Sequence, residues 1–152
     1  MDIKTFRELI EWTRDRQAHW ARCLSHCATR HEEERARMLL DYLAARESEI
    51  ERIVSEFERQ AGTNALETRV YDYLSRHPIK THRTCDEPYV KLDFNGICRE
   101  VFDYHDQIIK LYQALVGKAV NPKVRELMEA LLTMEENESK RLVRQIGRMD
   151  DL

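Results

Sequence analysis

The residues able to do chemistry are the polar ones that interrupt apolar helical stripes. They are Gln17 (with Thr13), Arg46, His105 beside Tyr104, and the pair Glu135 and Glu138. Each falls near the middle of its helix, so in a bundle of similar helices they share one layer. Carboxylates and imidazole at such depth have two uses. They hold a hard cation, which wants several carboxylate oxygens, or they neutralise one another as a buried ion-pair network. The network reading pairs Arg46 with Glu138 and Glu135 and leaves Gln17 and His105 to satisfy the remaining groups. Breaking such a pair typically costs about 3–5 kcal/mol.

A second group is His19, Cys23, His26 and Cys27, with His31 just beyond. His19, Cys23 and Cys27 follow i, i+4, i+8 along one helical face, and Cys with His suits zinc. The alternative is that both cysteines fill apolar space and the histidines are solvated. A third, looser group is His77, His82, Cys85 and Cys98, of which His82-x-x-Cys85 is half a zinc site. With no CxxC pair, the four cysteines are expected to be reduced thiols. No Gly-rich phosphate loop, nucleophile elbow or His-Glu-x-x-His motif occurs.

The elements that must position these residues are helical. Only 4 Gly and 3 Pro punctuate 152 residues, too few for a many-turned β fold. The stripe Ile3, Phe6, Ile10, Thr13, Gln17, Trp20, Leu24, Cys27 predicts a helix over about 3–27, with Asp2 as its cap. Thr29 and Glu32 form a capping-box pattern that opens a second helix over about 30–61, ended by Gly62. One unbroken helix is the competing reading. The second stripe is Ala36, Leu39, Leu43, Arg46, Ile50, Ile53, Phe57, and Glu47 enters only as a repulsive neighbour of Glu51. Residues 62–95 are a long connection. It contains a short helix opened by Asn64 and Glu67 and ended by Pro78, then an extended piece at Tyr89-Val90-Lys91-Leu92. The third helix spans about 96–117, with Ile97, Val101, Tyr104, Ile108, Leu111 and Leu115 inward. Asn121-Pro122 caps a fourth over about 122–149. These predict a single all-α domain, an antiparallel four-helix bundle.

The charge balance is 28 acidic against 25 basic residues, a net −3. That argues against nucleic-acid binding, which needs a basic surface. No apolar run is long enough to span a bilayer and no signal peptide opens the chain, so a cytoplasmic protein is expected. Arg outnumbers Lys, which favours bidentate pairing with carboxylates along helix surfaces.

In helix count, in the long connection between helices 2 and 3 and in its polar mid-bundle layer, the chain resembles the ferritin-like and rubrerythrin-like bundles. The resemblance covers nearly the whole chain. It implies two iron or manganese ions held by a Glu from each of two helices and a Glu-x-x-His from each of the others. Glu-x-x-His occurs nowhere here. Helix 4 supplies Glu135-x-x-Glu138, helix 2 supplies Glu32-x-x-Arg35 or Arg46-x-x-Glu49, and helix 1 has Gln17 where a carboxylate belongs. The ligand candidates are therefore Glu135, Glu138, His105 and Glu49.

Three functions follow from these residues. The first is a non-catalytic bundle with a degenerate metal site and no cofactor, acting through protein contacts. A homodimer is expected, with Trp12 (beside Leu9 and Arg16) as a candidate contact. The second is a di-iron or di-manganese protein handling metal or peroxide. The third is a thiol or zinc sensor centred on Cys23 and Cys27.

Overall fold

The computed structural model describes residues 3–79 and 89–150. They are all-α, with four long helices, one short helix and one 3-10 turn. Asp2, His82 and Cys85 lie outside the described residues.

Helix α1 (Phe6–Arg30) is capped by Thr5, whose hydroxyl accepts from the Glu8 N–H at 3.2 Å. The cap is held by residues 68–70: Phe6 N–H donates to the Thr68 carbonyl and Val70 N–H to that of Lys4. Helix α2 (Glu34–Gln60) follows after a break at 31–33. The Thr29/Glu32 capping box does not form. Thr29 is still helical and its hydroxyl donates to the His26 carbonyl, while the cap residue Glu33 makes no side-chain bond. The buried ring of His31 stabilises the break instead. Its Nε2 lies 2.7 Å from the Leu92 carbonyl and its Nδ1 accepts from the Glu33 N–H at 3.0 Å. One ring thus satisfies an orphaned amide at the start of α2 and anchors the connection.

Beyond α2 the chain departs from its expected course. Gly62 precedes the single-turn α3 (Thr63–Leu66), and the expected Asn64 cap makes no side-chain bond there. The helix does not reach Pro78, because the chain leaves α3 to pair residues 68–70 with residues 4–6. Tyr89–Lys91 is a 3-10 turn rather than extended, with Tyr89 buried. Helix α4 (Phe94–Lys118) is capped by Asp93, whose carboxylate accepts from the Gly96 N–H at 2.7 Å. A Cβ at position 96 would stand 3.0 Å from that oxygen, so glycine suits the cap. Helix α5 (Pro122–Asp150) opens as expected, with the Asn121 side chain accepting from Lys123 and Val124 N–H.

Helix α1 packs along α2 and α4 along α5, while α2 touches both α4 and α5. Phe6, Leu9, Ile10, Leu24, Leu39, Leu40, Leu43, Ile50, Ile97, Ile108 and Leu111 are fully buried at the centre. Among the described residues no helix is long and apolar enough to cross a membrane.

Candidate functional site

Four helices each place a polar side chain into the apolar core: Gln17 from α1, Glu47 from α2, His105 from α4, and Glu135 with Glu138 from α5. His105 is the hub. Its Nε2 lies 2.8 Å from a Glu47 oxygen and its Nδ1 lies 2.9 Å from a Glu135 oxygen. All three side chains are essentially excluded from solvent. Burial alone would strip the proton from His105. The carboxylates of Glu47 and Glu135 on either side outweigh that effect and hold its pKa well above 6.5. A ring with a proton on each nitrogen matches both acceptors. Burial pushes the Glu47 carboxyl upward from its ordinary value, with His105 opposing the shift.

A turn along α5, Glu138 receives the Arg46 guanidinium. Nε of Arg46 donates to one carboxylate oxygen at 2.8 Å, and the terminal nitrogen bonds to both oxygens. Arg46 remains partly exposed, so this pair sits at the edge of the layer and not at its centre. Arg141 approaches the same carboxylate at 3.6 Å.

Aromatic rings wall the hub on the α1 side. Trp20 packs on Tyr104 with ring centroids 4.0 Å apart and lies 5.7 Å from His105. The Trp20 indole donates to the Tyr89 hydroxyl at 3.0 Å. Burial drives the Tyr89 phenol up to about 12, and raises Tyr104 and Tyr112 further. These phenols stay protonated and act as packing groups. Tyr112 reaches Thr13 at 3.5 Å.

Glu47 is the residue that the sequence reading misses. The inward stripe of α2 is Ala36, Leu39, Leu40, Leu43, Ala44, Glu47, Ile50, Val54, with Ile50 as expected but Glu47 and Val54 buried in place of Arg46 and Ile53. The steps from Leu43 to Glu47, Ile50 and Val54 are four, three, four. That spacing is legible, and only the charge of Glu47 hid it. Glu49 is corrected: it lies outside the layer, bonded to Arg52 at 2.6 Å on the surface of α2. Arg52 holds its carboxyl below the usual value.

Of the cysteine cluster, His19 and Cys23 meet, with Nε2 3.6 Å from Sγ, whereas His26 lies 3.4 Å from the Arg30 guanidinium. His19 and His26 are exposed while Cys23 and Cys27 are buried. Cys23 is disulfide-bonded and Cys27 and Cys98 are free. This corrects the expectation of reduced thiols throughout, because the tertiary fold and not sequence spacing chooses a cysteine's partner. His77 stacks on Tyr73. Trp12 flanks the core, with the Arg16 guanidinium over its ring.

The donor set does not fit a pair of metal ions. Both ring nitrogens of His105 and one oxygen each of Glu47 and Glu135 are engaged, and Arg46 holds Glu138. What is left in the layer is Glu47 Oε2, Glu135 Oε1 and the Gln17 amide, buried without hydrogen-bond partners. No three His, Cys, Asp or Glu side chains among the described residues converge on a metal position. Compared with family models, curated proteins and solved structures, the chain gives no match.

Proposed function

We propose that the chain is a ferritin-like antiparallel four-helix bundle whose mid-bundle layer is closed by organic cations. It works through protein contacts, as a homodimer, and not as a catalyst. The observation that carries this reading is His105 engaged at both nitrogens by Glu47 and Glu135. An imidazolium there joins α2, α4 and α5, and the Arg46 guanidinium adds a second bridge from α2 to α5. Together they neutralise carboxylates where the ferritin-like arrangement has metal ions. The contacts also support the bundle. Thr13 meets Tyr112 and Trp20 meets Tyr104, so α1 and α4 run in opposite senses.

The rival is a di-iron or di-manganese protein, favoured by the unpartnered oxygens of Glu47, Glu135 and Gln17. Metal content of protein purified without chelators or an affinity tag separates the two. Iron and manganese well below one equivalent are expected. Two equivalents, lost on Glu135→Ala, would overturn the reading.

A further inference from the structure

The mid-bundle layer leaves polar groups over, and they come from all four long helices. Gln17 on α1 is only 1% exposed, yet neither its amide N–H groups nor its carbonyl oxygen has a hydrogen-bond partner among the described residues. Glu47 on α2 and Glu135 on α5 each give one oxygen to His105 and leave the other, Oε2 and Oε1, unmatched in the same way. The hydroxyl of Tyr104 on α4 is the fourth such group. Native interiors pair the great majority of their buried polar groups, so four orphans in one layer call for a common partner.

Direct contacts fix where Gln17 stands. One turn before it, Thr13 lies 3.5 Å from the Tyr112 hydroxyl. One turn after it, Trp20 packs on Tyr104, and its ring centroid lies 5.7 Å from that of His105. The buried amide therefore faces α4 between Tyr104 and Tyr112, beside the imidazole that joins both carboxylates. The Arg16 guanidinium, over the Tyr104 ring, holds that ring against the same turn of α1.

The chemistry of the set decides what the partner is. Glu47 Oε2, Glu135 Oε1 and Gln17 Oε1 are acceptors, whereas the Gln17 amide N–H groups and the Tyr104 O–H are donors. A metal ion takes lone pairs alone and would leave the donors unmatched. An anion would serve the donors alone and add negative charge beside two carboxylates. Water donates and accepts, so it serves both halves of the set, and it suits Glu47 with or without a proton. Proteins hold about one buried water per 27 residues, each making about three bonds to groups otherwise unsatisfied.

We propose that ordered water is bound in the mid-bundle layer, held by the Gln17 amide and shared with the free oxygens of Glu47 and Glu135. This rests on the layer proposed above to be closed without metal. It draws α1 into one hydrogen-bonded network with α2, α4 and α5. The test is magnetic relaxation dispersion of the water oxygen in solutions of the full chain. That signal counts long-lived internal waters and is blind to the exchange of labile protons. Gln17→Leu replaces the amide by an apolar group, and the dispersion is expected to fall by about one water per chain. In isotope-labelled wild-type protein the Gln17 side-chain amide should cross-relax with water, its laboratory-frame and rotating-frame Overhauser effects having opposite signs. Opposite signs mark a bound water, whereas equal signs mark proton exchange. An unchanged dispersion in folded Gln17→Leu, with no bound-water contact at the wild-type amide, overturns this inference. If Gln17→Leu does not fold, the wild-type amide contact decides alone. Metal content of the same preparation separates the two readings. Metal-free protein lacking the contact loses only the water site, while two equivalents of iron or manganese overturn the closed layer and the water with it.

Discussion

At the scale of single residues, the buried proton of His105 sets the pH response. In the folded chain its pKa is raised, so its stabilising contribution is complete below the unfolded value of 6.5 and is lost as pH climbs through the folded value. Glu47 is raised as well, so the fold favours its protonated form and its contribution also declines as pH rises. Both slopes have the same sign. The groups facing His105 are Glu47 from α2 and Glu135 from α5, with Trp20 from α1 as an uncharged wall. Unfolding free energy should therefore fall above pH 6.5, with His105 alone contributing up to about 1.4 kcal/mol per pH unit. His105→Gln should be less stable at neutral pH, with a slope flatter by one proton. Urea titrations between pH 6 and 10 measure both, and parallel slopes would rule out His105 as the titrating group.

At the scale of elements, the join between α2 and α5 depends on a charged pair at the edge of the core, with Glu138 buried and Arg46 partly exposed. Arg46→Ala leaves the buried carboxylate of Glu138 with only the distant Arg141. The expected cost is about 3 kcal/mol, since stranding a buried charge is what destabilises. Replacing both partners by apolar residues, Arg46→Met with Glu138→Leu, should recover most of that loss. Equal losses in the single and double variants, measured by chemical denaturation, would show that the pair is not coupled. The break between α1 and α2 is a second joint. His31→Ala removes the contacts to Leu92 and Glu33 and should cost about 1–3 kcal/mol, read in the same experiment.

At the scale of the whole molecule, the proposed closed layer predicts a stability independent of added metal. A ligand that binds only the folded chain raises stability by about 2.7 kcal/mol at a hundred times its Kd. Melting temperatures in EDTA and in millimolar manganese should coincide. A rise of several degrees with manganese would instead assign a cation to the free oxygens of Glu47, Glu135 and Gln17.

The amino-acid sequence was enough for the all-α class, because 3.6-residue periodicity and scarce Gly and Pro are local properties. It was enough for Asn121-Pro122 as a helix start, since a cap is satisfied by its own neighbours. It also placed Gln17, His105, Glu135 and Glu138 inward, because helix phase assigns each a side. Three things needed the tertiary structure. The turn at His31 depends on the Leu92 carbonyl, 61 residues away. The register of α2 depends on which face meets α4, and that contact buried Glu47 and left Glu49 outside. The charge on His105 depends on two carboxylates from other helices, since a lone buried imidazole would have been neutral.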